Sequence, residues 1–179
     1  MPTFSQTITS AANAFHWWLS NTNFGSDGTY VGKNSTTWAQ DSSLLFTSVT
    51  VPKGASISSA TLTIVVAESY GTPVSILYGN DVDSATAPTS KAEGAALTLT
   101  TASIDPSITT TGTKNLNVKN IVEEIITRAG WNKGNMQFVI KDNGSSSGAA
   151  NYYCSDAIAT YARTLTIVYS IGRPQILWF

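Results

Sequence analysis

The side chains that could perform catalysis are few, and they lie far apart in the sequence. A serine–histidine dyad or triad would depend on His16, the only histidine, which stands directly before two tryptophans. Cys154 is the only cysteine, and it follows two tyrosines in a segment that we expect to be a strand with an unreactive thiol. Glu123 and Glu124 are neighbours on a predicted helix, so their carboxylates diverge by about 100° and cannot flank one glycosidic bond. We therefore expect a protein without enzymatic activity and without a cofactor.

Asp81 and Asp83 are the candidate ligands for a metal ion. One residue separates them, so in an extended segment both carboxylates point to the same side. A dedicated calcium loop supplies further oxygen ligands at fixed positions, and the sequence around this pair lacks that pattern. A single cysteine also excludes an internal disulfide and a zinc site of the C-x-x-C type. We expect a solvated turn at Asp81 and Asp83 and a chain that folds without metal.

Several large aromatic residues lie in a region whose sequence predicts mostly loops. They are Trp17, Trp18, Tyr30 and Trp38. Two interpretations of them are open. The rings are buried in the core or at a subunit interface, which is the ordinary use of large aromatic side chains. Alternatively, Trp17, Trp18 and Trp38 are platforms on which the sugar rings of a bound glycan stack.

Composition and periodicity predict that these side chains are held by an all-β domain. The chain has 179 residues, of which 42% are hydrophobic, only 12% are charged and 47 are Ser or Thr. Apolar and polar residues alternate in 60–66 and 163–169, as is typical of strands. Weaker strand patterns occur at 7–12, 43–51, 74–79, 136–141 and 149–154. Short strands at this spacing predict an antiparallel jelly-roll β-sandwich, a single domain over residues 1–171.

One segment departs from the β pattern and predicts an amphipathic α-helix over about 118–129. Asn117 is suited to begin this helix and Gly130 to end it. Its apolar residues recur at helical spacing: Val118, Ile121, Val122, Ile125, Ile126 and Ala129. We expect the first five of these residues, Val118 to Ile126, to pack on the core of the sandwich. Glu123, Glu124 and Arg128 should stay mostly in water.

Charge and the two ends of the chain bear on its partners. The formal net charge is −1 and the ten Lys and Arg residues are scattered, so we expect neither nucleic acid nor a membrane as partner. The first residues, MPTFSQTITS, have no basic and no apolar region, so we expect no signal peptide.

Residues 172–179 form a separate tail with four large apolar side chains, Ile176, Leu177, Trp178 and Phe179. We expect the tail to be an assembly interface, with folding back onto its own sandwich as the alternative.

An ordered series of short segments resembles the jelly-roll modules named for a DNRLRE motif. These segments are NTNFGS at 21–26, SLLF at 43–46, VPKGASISSATL at 51–62, IVEEII at 121–126, GW at 130–131, KDNG at 141–144 and LTIVY at 165–169. The resemblance covers about residues 7–170, although the literal DNRLRE string is absent. Such modules occur as carbohydrate-binding-like appendages of secreted bacterial proteins and as parts of phage virion proteins.

The resemblance and the composition together imply two alternative functions. The first is a phage virion structural protein, a capsid decoration (cement) protein. It would be made in the host cytoplasm and assembled as a homo-oligomer such as a trimer. Its partners would be further copies of itself and the major capsid protein or another virion protein. The second is a carbohydrate-binding module or adhesin that binds a glycan.

Overall fold

The structure is a computed structural model, and it describes residues 1–8, 10–19, 22–26, 28–33, 39–106, 108–147, 149–153 and 163–171. The described part of the chain is built almost entirely of strands. In chain order these are β1 (Thr3–Ile8), β2 (Ala14–Trp18), β3 (Phe24–Gly25), β4 (Gly28–Lys33), β5 (Ala39–Phe46), β6 (Ser56–Val66), β7 (Glu68–Tyr70), β8 (Ser75–Asn80), β9 (Leu99–Ile104), β10 (Gly112–Asn117), β11 (Met136–Asp142), β12 (Ala149–Tyr153) and β13 (Arg163–Ser170). The helices of the described residues are α1 (Lys91–Ala95) and α2 (Lys119–Thr127), and neither is long and apolar enough to cross a membrane.

Two antiparallel sheets pack against each other, which confirms the predicted β-sandwich. The small sheet has the strand order β1-β13-β6-β10. The large sheet has the order β7-β12-β4-β5-β11-β8-β9, and β2 and β3 are attached to it through β5. The two strongest alternating segments of the sequence, β6 and β13, pair with each other at the centre of the small sheet. Their inward side chains form one side of the core, including Leu62, Ile64, Leu165 and Ile167, all completely buried.

Helix α2 closes the sandwich as its apolar pattern predicts. Ile121, Val122, Ile125 and Ile126 are completely buried in the common core. The helix lies so close to β8 that a Cβ at Gly79 would come within 2.7 Å of an Ile121 methyl carbon. The helix is shorter than expected. It begins at Lys119, whose backbone N–H donates to the Asn117 side chain. It ends at Thr127, because the backbone of Arg128 has left the helical conformation.

The region expected to be mostly loops contains β2, β3 and β4, so that expectation is wrong. Strand β2 pairs with the middle of the large sheet, and both of its faces are covered. One face of β2 adds Ala14 to the main core, and the other adds Phe15 to a second cluster with Leu45 and Ala85. Because both faces are buried, the residues of this strand do not alternate between apolar and polar, and the period-2 signal is missing.

A short cover lies over the outer face of the large sheet. It consists of residues 81–98 and includes α1, whose Gly94 rests on the indole of Trp17. A Cβ at Gly94 would lie 2.7 Å from the ring, so only glycine allows this approach. Ser90 caps the N-terminus of α1: its hydroxyl accepts the Glu93 N–H, and the Glu93 carboxylate accepts the Thr89 N–H. These backbone and hydroxyl hydrogen bonds lower the pKa of Glu93.

Candidate functional site

Polar side chains are buried along the centre of the large sheet. The Asn80 amide donates to the Gln137 side chain at 2.9 Å, and Gln137 donates in turn to the Ser43 hydroxyl at 2.9 Å. All three residues are at most 4% exposed. These two hydrogen bonds link strands β8, β11 and β5, while the side-chain carbonyl oxygen of Asn80 is buried without a hydrogen-bond partner. These hydrogen bonds therefore help to hold the three strands in register beside one another.

Asp41, two residues before Ser43 on β5, is a buried carboxylate that was not among the candidates predicted from the sequence. Only 1% of its side chain is exposed. One carboxylate oxygen accepts the Asp142 backbone N–H at 2.9 Å, and the other lies 3.6 Å from the Lys141 ammonium nitrogen. Burial raises the pKa of Asp41, against the opposing effect of the Asp142 N–H and of Lys141. The buried charge thus holds a surface lysine in a defined place.

A cleft of about 360 Å³ opens beside this ion pair. Its lining combines three partly exposed apolar or aromatic side chains with three polar ones, namely Ile76, Tyr78, Leu99, Lys141, Asp142 and Asn143. Ile76 and Tyr78 are alternate residues of β8 on the face opposite Gly79, which packs on α2. In the ladder, Lys141 lies opposite Ile76 and Val139 lies opposite Tyr78. The cleft is therefore on the outer face of the large sheet.

Ser146 stands in a literal match to the G-x-S-x-G pattern, Gly144-Ser145-Ser146-Ser147-Gly148, which the sequence analysis overlooked. The pattern marks a nucleophile only at a strand–turn–helix junction with an exposed serine. Here the segment joins two strands, β11 and β12, and Ser146 is 7% exposed. Its hydroxyl accepts the Val74 N–H at 2.8 Å and contacts the Asp142 carboxylate. These contacts close a loop at the rim of the cleft and give the serine a structural role.

Asp81 and Asp83 flank an arginine. The Arg128 guanidinium lies 2.5 Å from an Asp81 carboxylate oxygen and 2.8 Å from one of Asp83. Both hydrogen bonds raise the pKa of Arg128. The charge that a calcium ion would supply is thus supplied by the chain itself. No group of three or more His, Cys, Asp or Glu residues that could hold a metal ion occurs among the described residues.

Glu124 is not simply a solvated residue of α2, contrary to the expectation. Its two carboxylate oxygens accept the backbone N–H groups of Thr101 at 2.7 Å and of Ala102 at 2.8 Å. Arg128, expected in water, is likewise held by two carboxylates. Glu123 is the residue that matches the expectation, since it makes only an exposed ion pair with Lys119 at 3.7 Å.

The aromatic candidates that the structure describes, Trp17, Trp18 and Tyr30, do not form one exposed platform. Trp17 is completely buried under Gly94, so its ring offers no face to a sugar in this structure. Trp18 is partly exposed at the end of β2, and Trp38 lies outside the described residues. His16 is 8% exposed and meets the Tyr30 ring edge-on at a centroid distance of 5.0 Å. Tyr78, which lines the cleft, was not among the candidates predicted from the sequence.

Cys154 and the tail residues Ile176, Leu177, Trp178 and Phe179 also lie outside the described residues. The expectations about them therefore stay predictions. Ile171, the last described residue before the tail, is 60% exposed.

The outer face of the small sheet carries no charged residue along any of its four strands, all of which are described. Its outward residues are Thr3, Ser5, Thr7, Ser56, Ser58, Ser59, Thr61, Thr63, Val65, Thr113, Asn115, Asn117, Thr164, Thr166, Val168 and Ser170. Hydroxyls meet across the strands, Ser5 with Thr166 at 3.2 Å and Thr7 with Thr164 at 2.9 Å. The Thr63 hydroxyl donates to the Asn115 side chain at 2.8 Å. We call this surface the hydroxyl face.

Comparison with known proteins supplies no family for this chain. No family model matches the sequence, and no curated protein matches it significantly. The fold and the contacts described above therefore carry the functional interpretation.

Proposed function

We propose that the protein is a non-enzymatic structural protein of a phage virion, a capsid decoration protein that acts as a homo-oligomer. Its partners would be other copies of itself and the major capsid protein or another virion protein. The observation that carries the proposal is the hydroxyl face. A four-stranded surface without a single charge is unusual on a protein exposed to water on all sides, whereas the centre of a protein–protein interface is depleted of charged residues.

The edge of the same sheet supports this proposal. Strand β1 is the terminal strand of the small sheet, and its sequence TFSQTI contains no charge and no proline. Natural proteins usually protect an exposed edge with lysine, proline or a bulge, because unpaired backbone groups invite pairing with another chain. An unprotected edge beside an uncharged face is suited to contact a second copy.

The size of the hydroxyl face implies that other residues contribute to the interface. Four strands about 4.8 Å apart, with about five residues each at 3.3 Å, cover roughly 300 Å². A stable interface buries about 800 Å² on each partner. The apolar tail at 176–179 is the segment that we propose to supply much of the remainder, on a neighbouring copy or on the capsid.

Charge substitution on the hydroxyl face tests the proposal. Thr61→Lys and Thr166→Lys place like charges on adjacent strands at its centre, since these residues lie opposite each other. Ala92→Lys, at an exposed position of α1 on the other side of the sandwich, is the matched control. We expect the double variant to keep its fold but to weaken self-association and binding to empty heads by about tenfold or more, and the control to leave both unchanged. Unchanged assembly of the double variant would remove the hydroxyl face as support.

A further inference from the structure

Asn143 and Gly144 form the only Asn-Gly pair of the sequence, and they begin the loop that joins β11 to β12. We propose that Asn143 is a site of spontaneous deamidation, at which the side-chain amide is converted into a carboxylate by reaction with the neighbouring backbone and with water. This reactivity is independent of the proposed role in the virion, because it depends only on the residues of this loop.

The reaction joins the side chain of Asn143 to the backbone of Gly144. The Gly144 nitrogen loses its proton to hydroxide or another base in the solvent and forms a bond to the Asn143 Cγ atom. The bond between Cγ and Nδ2 then breaks, and the nitrogen takes up a proton from water and leaves as ammonia. Water opens the resulting succinimide ring at either carbonyl carbon, which leaves aspartate or isoaspartate. The net change consumes water and the asparagine amide and produces a carboxylate and ammonia.

A hydrogen bond between Ser145 and Asn143 prepares the side chain for this reaction. The Ser145 backbone N–H donates to the Asn143 Oδ1 atom at 2.9 Å. This contact holds the carboxamide beside the peptide unit of Gly144, which lies between the two partners in the chain. It also stabilises the negative charge that Oδ1 carries once the Gly144 nitrogen has attacked. The fold thus supplies both proximity and a donor to the developing oxyanion.

The attacking nitrogen is open to solvent and has no side chain in its way. Asn143, Gly144 and Ser145 are all exposed. Gly144 has a φ of +83°, and a Cβ built on it would meet no atom beyond its chain neighbours within 4 Å. Among the described residues, the Gly144 N–H makes no hydrogen bond that would have to break before the proton is lost. Glycine also lets the backbone rotate toward the geometry of attack with little steric resistance.

Two other exposed asparagines lack this combination and are internal controls. Asn120 lies in helix α2, and the next residue is the β-branched Ile121, which is completely buried. Asn132 is followed by Lys133, whose side chain hinders the approach to its own backbone nitrogen. We therefore expect both of these amides to outlast that of Asn143.

Conversion of Asn143 should loosen the loop. The new carboxylate stands next to Asp142, whose carboxylate contacts the Ser146 hydroxyl. In isoaspartate the main chain also passes through the former side chain, which lengthens it by a methylene group. Both changes disturb the contacts with Val74, whose carbonyl accepts the Asn143 N–H at 3.2 Å and whose N–H donates to the Ser146 hydroxyl at 2.8 Å. We expect the Val74 amide to exchange its hydrogen faster in the converted chain.

Mass spectrometry of the full-length protein, incubated in neutral and in alkaline buffer, tests the proposal. Samples are digested at acidic pH, at which the Gly144 nitrogen keeps its proton and further conversion is slow. We expect the peptide that contains Asn143 to convert with time into aspartate and isoaspartate forms, and to do so faster in alkaline buffer. The peptides that contain Asn120 and Asn132 should keep their amides over the same period. The proposal is overturned if Asn143 keeps its amide, or if the other two asparagines convert as fast.

Gly144→Ala tests the route through the backbone nitrogen. The added methyl group hinders the attack and disfavours the positive φ, so we expect the conversion of Asn143 to slow by at least about tenfold. Ser147→Ala, at an exposed position of the same loop, is the control that should leave the rate unchanged. Equal rates in Gly144→Ala and in the natural chain would mean direct hydrolysis of the amide and would contradict the proposed route.

Asn143→Asp supplies the aspartate product directly and tests the expected loosening. Hydrogen exchange at the Val74 amide is the measurement, with the freshly prepared natural chain as reference. Faster exchange in the variant supports the loosening, and equal exchange in the variant and in the aged natural chain as in the fresh chain would contradict it.

Discussion

The carboxylate of Glu124 on helix α2 accepts the backbone N–H of Thr101 on β9 at 2.7 Å, and its second oxygen accepts the next N–H along the strand. This glutamate joins the helix to the large sheet, whereas the neighbouring Glu123 makes only an exposed ion pair. Hydrogen bonds to a charged group contribute more than neutral ones. We expect Glu124→Ala to lower the free energy of unfolding by about 1–3 kcal/mol and Glu123→Ala by less than about 0.5 kcal/mol.

Urea denaturation of the two glutamate variants, measured side by side, checks this difference. Each variant removes one carboxylate from adjacent positions of the same helix, so helix propensity changes equally in both. Equal effects of the two substitutions would mean that the contact of Glu124 with β9 contributes nothing measurable.

Truncation of a side chain in the apolar stripe of α2 should lower the free energy of unfolding more than either glutamate substitution does. Ile125 is completely buried against Gly79, so truncation leaves a cavity that the surrounding strands cannot fill. We expect Ile125→Ala to lower the free energy of unfolding by about 2–5 kcal/mol, and the milder Ile125→Val by about 0.5–1.5 kcal/mol. Denaturation midpoints with unchanged slopes are the measurement, and a loss under about 1 kcal/mol for Ile125→Ala would show that the helix is poorly packed.

Metal should not affect stability. Asp81 and Asp83 already bind the Arg128 guanidinium, so a calcium ion would have to displace an arginine. We expect thermal melts in EDTA and in excess calcium to nearly coincide. A bound ion stabilises the native state according to its affinity and concentration, so a calcium-dependent rise of about 10 °C or more would reveal a site that this account lacks.

Asp41 predicts a pH dependence of stability. Burial raises its pKa in the folded protein above the ordinary value of 3.8, so the folded state holds this proton more tightly than the unfolded state does. The contribution of Asp41 to stability is therefore lost as the pH rises from about 3.8 through the higher folded pKa.

Asp41→Asn removes the buried charge, and its amide oxygen can still accept the Asp142 N–H. We expect the variant to gain stability relative to the natural chain as the pH rises from 4 to 7, with the two chains converging at low pH. Unfolding free energies across this range are the measurement. A variant that is clearly less stable at pH 7 would show that the contact with Lys141 outweighs the cost of burial.

The sequence was most informative where one face of an element is buried. The alternation in β6 and β13 and the helical spacing in α2 predicted these elements, because each exposes its other face to solvent. It failed for β2, whose two faces are both covered, one by the core and the other by the 81–98 cover. The strand expected at 7–12 ends at Ile8, since the chain turns into a short 3₁₀ helix at Ala11–Asn13.

The ion pairs of Asp41 and of Arg128 could not be predicted from local sequence patterns. Asp41 and Lys141 are a hundred residues apart in the sequence and meet only through the pairing of β5 with β11. The same holds for Arg128, which reaches back to Asp81 and Asp83 from the end of α2. Local patterns offered Trp17, Trp18 and Trp38 as stacking residues only in the alternative interpretation, and they did not single out Tyr78, which lines the cleft.

The proposed virion role is tested by measuring whether the full chain and a chain lacking residues 174–179 bind to empty phage heads. We predict saturable binding of the full chain, and binding weakened by about tenfold or more after the deletion, because Trp178 and Phe179 would be its main contacts. The melting temperature should change little. Failure of the full chain to bind heads would argue against the virion role, and equally tight binding of the shortened chain would argue against the tail as its interface.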